Sequence, residues 1–132
     1  MKLKKTCIVD DDKIYVFGLK KIMEINDFSE EIVVFPNGKE ALDYLKSLIS
    51  EPLSLPDVIL LDLNMPVMDG WQFLEEFIRI QNDFSRKISI YIMSSSIQKD
   101  DIERAKSYSE VTDYLIKPVK IKDLEQIIKN EQ

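Results

Sequence analysis

The chain has no histidine among its 132 residues. That absence excludes histidine acid–base catalysis, Ser-His and Cys-His nucleophiles, and histidine-ligated zinc. Cys7 is the only cysteine, which also removes an intramolecular disulfide and a Cys-rich metal site. Its expected place is as a small buried residue in the first strand. No apolar run approaches the roughly 20 residues of a membrane-spanning helix, and Met1-Lys2-Leu3-Lys4-Lys5 leads into strand-like sequence rather than a signal-peptide core. A cytoplasmic protein with no membrane association is therefore expected. Basic side chains are outnumbered 18 to 24, for a formal charge of -6. Direct nucleic-acid binding needs clustered Lys and Arg and is not expected. What remains is oxygen-ligand chemistry, suited to hard cations such as Mg²⁺ and to phosphate-type reactions.

What is present is an alternating series of strand and helix patterns, five times over, with no low-complexity segment or linker. The length is that of one domain, and residues 1–132 are read as a single domain with no output domain after the last helix. Strands are expected at Thr6 to Val9, Ile32 to Phe35, Val58 to Asp62, Ile88 to Met93 and Tyr114 to Ile116. The first helix is expected from Lys13 to Asn26, with Tyr15, Val16, Leu19, Ile22 and Met23 on its apolar stripe. The second is marked by Ala41, Leu42, Leu45, Leu48 and Ile49, and the third is opened by Asp69-Gly70-Trp71-Gln72. The fourth, from Lys99 to Ser109, has only the thin apolar face of Ile102, Ala105 and Tyr108, which makes it a candidate for motion. Ile121, Leu124, Ile127 and Ile128 mark the last. This is the pattern of an α/β doubly wound five-stranded parallel sheet with helices on both faces.

Polar residues follow the strands in a consistent way: Asp10 and Asp11 after the first, Asp62 and Asn64 after the third, Ser94 and Ser95 after the fourth, Lys117 after the fifth. In a parallel sheet these ends converge on one edge. Three carboxylates there would raise one another's pKa unless a cation neutralised them, and Mg²⁺ accepts such ligands. A carboxylate can attack phosphorus to give an acyl phosphate, and Asp62 is the best nucleophile candidate. Mg²⁺, the Lys117 ammonium and the Ser94 hydroxyl would suffice to position and neutralise a transferring phosphoryl group. Taken singly, each residue has an ordinary reading. Asp12 suits a helix N-cap, Ser94-Ser95-Ser96 a polar loop, Lys117 a solvated lysine and Tyr114 a strand aromatic. Trp71 and Phe17 read as packing or patch residues, and the methionines as core filler.

Four motifs in order carry a resemblance: Ile8-Val9-Asp10-Asp11-Asp12, Leu60-Leu61-Asp62-Leu63-Asn64-Met65-Pro66 with Met68-Asp69-Gly70, Met93-Ser94-Ser95, and Tyr114-Leu115-Ile116-Lys117-Pro118. Over essentially its whole length the chain resembles the receiver domain of two-component response regulators, of the stand-alone chemotaxis type. The resemblance implies a flavodoxin-like sheet of order 2-1-3-4-5. It makes Asp62 the phosphoacceptor, Asp11 a direct Mg²⁺ ligand, Asp10 a ligand through water and Asn64 a ligand through its backbone carbonyl. Ser94 and Tyr114 become the switch pair and Lys117 the phosphate contact. The Lys117–Pro118 peptide is a candidate cis bond, as in related receivers.

The implied function is a signalling switch. A histidine kinase or phosphotransfer protein would phosphorylate Asp62, and the surface of the fourth helix, fifth strand and fifth helix would then engage a separate effector protein. Because the chain lacks histidine, the donor must be another molecule. Its own chemistry would be limited to self-phosphorylation and autodephosphorylation. Two alternatives are a Mg²⁺-dependent aspartyl-phosphate phosphatase and an unphosphorylated receiver-like interaction module. Asn64, where haloacid-dehalogenase-type enzymes usually carry a second Asp, and the lack of an insertion long enough for a substrate cap weaken the first. The complete set of Asp10, Asp11, Asp62, Ser94 and Lys117 weakens the second. A homodimer through the fourth-helix, fifth-strand and fifth-helix surface is left open.

Overall fold

The computed structural model describes residues 2–132. Five strands alternate with five α-helices: β1 (Leu3–Val9), α1 (Lys13–Ile25), β2 (Ser29–Phe35), α2 (Gly38–Ser47), β3 (Val58–Asp62), α3 (Gly70–Ile80), β4 (Ser89–Ser94), α4 (Lys99–Lys106), β5 (Val111–Ile116) and α5 (Ile121–Asn130). The strands pair in parallel in the order β2-β1-β3-β4-β5. This is the flavodoxin-like doubly wound sheet.

Side chains alternate between the two faces of each strand, and the core divides accordingly. Cys7, Val9, Ile59, Leu61, Ile90 and Ile92 face α2, α3 and α4, where they meet Leu45, Phe73 and Ala105. Ile8, Val58, Leu60, Tyr91 and Met93 face α1 and α5, where they meet Leu19, Met23 and Leu124. Burial on both faces explains why β3 reads as an unbroken apolar run up to Asp62. Cys7 lies in the first strand as expected. Complete burial pushes its thiol up to about 12, so it is not a reactive group.

Helix starts follow from local capping chemistry. The Asp12 carboxylate accepts from the Tyr15 N–H at 3.0 Å, and Asn37 Oδ1 accepts from Glu40 N–H at 3.0 Å. Asp69 and Gln72 form a reciprocal capping box, both bonds being 2.9 Å.

Several element ends differ from those expected. β1, β2 and β5 each begin three residues earlier, at Leu3, Ser29 and Val111. The added residues are mostly polar, but a neighbouring strand supplies their ladder partners, as in Leu3 with Ser29 and Ile90 with Val111. α4 ends at Lys106 rather than Ser109, and α2 ends at Ser47, with Leu48 buried just beyond it. Ala105 is the only buried residue of α4. α4 packs mainly along β5, and at its C-terminal end it meets α3, where Arg104 lies 4.1 Å from the Trp71 ring centroid and Tyr108, just past the helix, stacks on Trp71. The Tyr108 hydroxyl also donates to Glu75 at 2.7 Å. Trp71 is thus a packing residue, whereas Phe17 is 66% exposed on α1.

Candidate functional site

β1 and β3 are adjacent and in register, which sets the residues after Val9 beside Asp62. One carboxylate oxygen from each of Asp10, Asp11 and Asp62 lies within 4.8 Å of the others. Asp10 and Asp62 are buried, while Asp11 is exposed. Asp10 Oδ1 accepts from the Asp12 N–H at 2.9 Å, which aims its other oxygen at the sheet edge. There Lys117 Nζ donates to Asp10 Oδ2 at 2.8 Å and pairs with Asp62 Oδ1 at 3.3 Å.

These neighbours set the charge states. Burial, and then the negative charge of Asp10, raise Asp62 to about 6, while Lys117 and the backbone N–H of Asn64 pull it down. For Lys117, burial opposes the charge, but the hydrogen bond and attraction of Asp10, together with Asp62, outweigh it and the net shift is upward. The site therefore holds a cation that stays charged beside a carboxylate that titrates in a mildly acidic range.

The loop that follows Asp62 is strained at Val67. The Met68 N–H donates to the Pro66 carbonyl at 2.8 Å, closing a γ-turn around Val67, whose φ of 67° lies in the left-handed region. A β-branched residue there is disfavoured by roughly 1–3 kcal/mol. Asn64 is exposed on this loop. The chain then returns so closely that Gly70 N–H donates to the Leu63 carbonyl at 3.0 Å.

On the other side, Met93 of β4 pairs with Asp62, so Ser94 stands one position beyond it, 1% exposed. Ser94 Oγ accepts from the Ser96 N–H at 3.1 Å, and the Ser94 carbonyl accepts from the Lys117 N–H at 2.8 Å. The Tyr114 ring is buried, and its hydroxyl donates to the Ser96 carbonyl at 2.9 Å. The Lys117–Pro118 peptide is cis.

The structure thus brings Asp10, Asp11, Asp62 and Lys117 into one cluster and sets Ser94 and Tyr114 along its β4–β5 flank. The sequence pattern places Tyr15 on the apolar stripe of α1 and gives no sign of a site role, yet its ring lies 4.5 Å from Lys117 Nζ. A cleft of about 630 Å³ lies at the opposite edge of the sheet. Asp57 and Arg86 pair there at 2.7 Å, and the carboxylate cluster lies at the carboxyl edge, where sheets of this kind bind their ligands.

A buried carboxylate with acidic and lysine partners at the carboxyl edge of a 2-1-3-4-5 sheet lies where open, doubly wound α/β domains bind their ligands. A family model for the response regulator receiver domain matches residues 6–129, and the chain belongs to that family. It is 33% identical over 121 residues to the probable methanogenesis regulatory protein FilR2 of Methanothrix harundinacea, covering 92% of this chain and 76% of that protein. Its fold is similar to that of a two-component response regulator from Cytophaga hutchinsonii, with a TM-score of 0.91 and 26% identity over 99% of this chain and 98% of that one. It is also similar to the phosphorylated cyanobacterial phytochrome response regulator RcpA, with a TM-score of 0.75 and 31% identity over 97% and 90% of the two chains. No helix among the described residues is long and apolar enough to cross a membrane.

Proposed function

We propose that this receiver domain is a phosphorylation switch with Asp62 as its phosphoacceptor. The observation that carries the reading is the convergence of Asp10, Asp11 and Asp62 within 4.8 Å, with Lys117 3.3 Å from Asp62. An Asp62 oxygen attacks the phosphorus of a phosphohistidine on a kinase or phosphotransfer protein. The Asp62 O–P bond forms as the P–N bond breaks, and the electron pair stays on the imidazole nitrogen, which then takes up a proton. Lys117 donates to the arriving phosphoryl oxygens as the Asp62 carboxylate becomes an acyl phosphate.

The cluster fits Mg²⁺, because it offers hard oxygen donors only and because burial and Asp10 raise Asp62 in a way that a divalent cation would relieve. Asp11 and Asp62 would hold the ion directly, Asn64 through its backbone carbonyl and Asp10 through water. When bound, the ion supplies charge neutralisation for the carboxylate and the phosphoryl oxygens.

Ser94 and Tyr114 are the proposed relay. A new phosphoryl group on Asp62 would draw the Ser94 hydroxyl away from the Ser96 N–H, and the Tyr114 hydroxyl reads the same loop through the Ser96 carbonyl. The weakly buried α4 follows that loop, so its surface with β5 and α5 is the proposed face for an effector protein in the cytoplasm. Intact-mass measurement after incubation with acetyl phosphate and Mg²⁺ tests the reading. An adduct on Asp62 is expected, and a folded protein that acquires none would sink it.

A further inference from the structure

The Lys117 ammonium is surrounded on three sides, and only two of them are acids. Asp10 Oδ2 at 2.8 Å and Asp62 Oδ1 at 3.3 Å account for two directions. The third is the face of Tyr15, 4.5 Å from the nitrogen to the ring centroid. The Tyr15 hydroxyl oxygen also accepts from the Val119 N–H at 3.1 Å, two residues after Lys117 and 104 positions away from Tyr15 in sequence. One side chain of α1 therefore touches both the charged end of Lys117 and the backbone that carries it.

We propose that Tyr15 is a positioning residue for phosphoryl transfer, holding the Lys117 ammonium over its ring and fixing the loop after β5 through its hydroxyl. This inference rests on Asp62 as the phosphoacceptor. A lysine stem has several rotatable bonds and, left to itself, samples many positions. An aromatic face attracts the cation without occupying one of its hydrogens as an oxygen would. The ammonium carries three N–H donors, and with two directed to Asp10 and Asp62 one is left for a phosphoryl oxygen. A carboxylate in place of the ring would take that donor, and an aliphatic side chain would leave the cation unheld. At 17% side-chain exposure Lys117 is shielded enough for the contact to matter.

The test uses Tyr15→Phe, which keeps the ring, and Tyr15→Leu, which removes it, with Tyr15→Met in reserve should the Leu variant not fold. Lys117 methylene protons should show an upfield ring-current shift by NMR in the wild type and Tyr15→Phe, and lose it in Tyr15→Leu. The maximal rate of labelling by acetyl phosphate at saturating Mg²⁺ should fall roughly threefold to tenfold in Tyr15→Leu and by a smaller factor, about twofold, in Tyr15→Phe, which keeps the ring and loses only the hydroxyl's bond to Val119. On a Lys117→Ala background Tyr15→Leu should cost nothing further, because the two act as a unit. An unshifted Lys117, an unchanged rate, or equal losses on both backgrounds would overturn the assignment. If the wild type takes no adduct at all, the phosphoacceptor reading fails first. If it labels normally beside an unaffected Tyr15→Leu, only the role of Tyr15 fails.

Discussion

A Cβ atom on Gly70 would lie 2.5 Å from the carbonyl oxygen of Asp62 and 2.8 Å from the Cα of Leu63. The first turn of α3 is thus pressed against the backbone that presents Asp62, and only a residue without a side chain fits.

Gly70→Ala should therefore push the β3 end and α3 apart. Overpacking of this kind typically costs about 1–3 kcal/mol. Urea unfolding should show the loss, and labelling of Asp62 should slow while Asp10 and Asp11 remain in place. A variant as stable and as reactive as the wild type would mean that the junction yields without cost.

Asp62→Asn and Asp62→Ala should abolish the phosphoryl adduct and leave the fold intact, as judged by far-ultraviolet circular dichroism and intact mass. Labelling at the wild-type rate in either variant would move the acceptor to another carboxylate, with Asp11 the first to test.

The pH dependence has a definite sign. Burial and then Asp10 raise Asp62 from 3.8 to about 6 in the folded protein. Its stabilising contribution is therefore fully present below the unfolded value and is lost as pH rises through about 6. Asp62→Asn should be more stable than the wild type by on the order of 1 kcal/mol at about pH 7.5, once solvent screening is allowed for. That advantage should vanish in acid. Added Mg²⁺ should stabilise the wild type through binding and the Asn variant much less, which parallel melts across pH would read out.

Trp71 is the only tryptophan, and Arg104 lies 4.1 Å from its ring centroid. Arg104→Ala should alter Trp71 emission and weaken the hold on α4 by about 0.5–1 kcal/mol. Hydrogen exchange in α4 should accelerate, with β3 and β4 unchanged. Uniform acceleration would assign the effect to global stability instead.

Much of the architecture was legible because it is written locally. The run Val58 to Leu61 could be read as a buried strand, and Asp12 and Asp69 as helix caps, since each signal lies within a few residues of the element it specifies. The early starts of β1, β2 and β5 are not legible locally because ladder pairing orders Lys5, Glu31 and Asp113 whatever their polarity. Tyr15 was missed for a related reason. Its helical position suits core packing, and nothing near it in the chain points to a lysine 102 positions on.

By itself, the sequence determined the class of chemistry and the parts: no histidine, one cysteine, five βα units and polar residues at the strand ends. The strand order came as an expectation only through resemblance to the receiver family, and it is the order observed. Only the tertiary structure decided which parts meet. Lys117 and Asp10 are 107 positions apart yet 2.8 Å apart in space, and Tyr15 lies against that same lysine. Periodicity and capping report on contacts along the chain, whereas the charge of a site depends on burial and on neighbours brought from distant strands. For that reason the raised pKa of Asp62 and the setting of Lys117 belong to the folded sheet and to no segment alone.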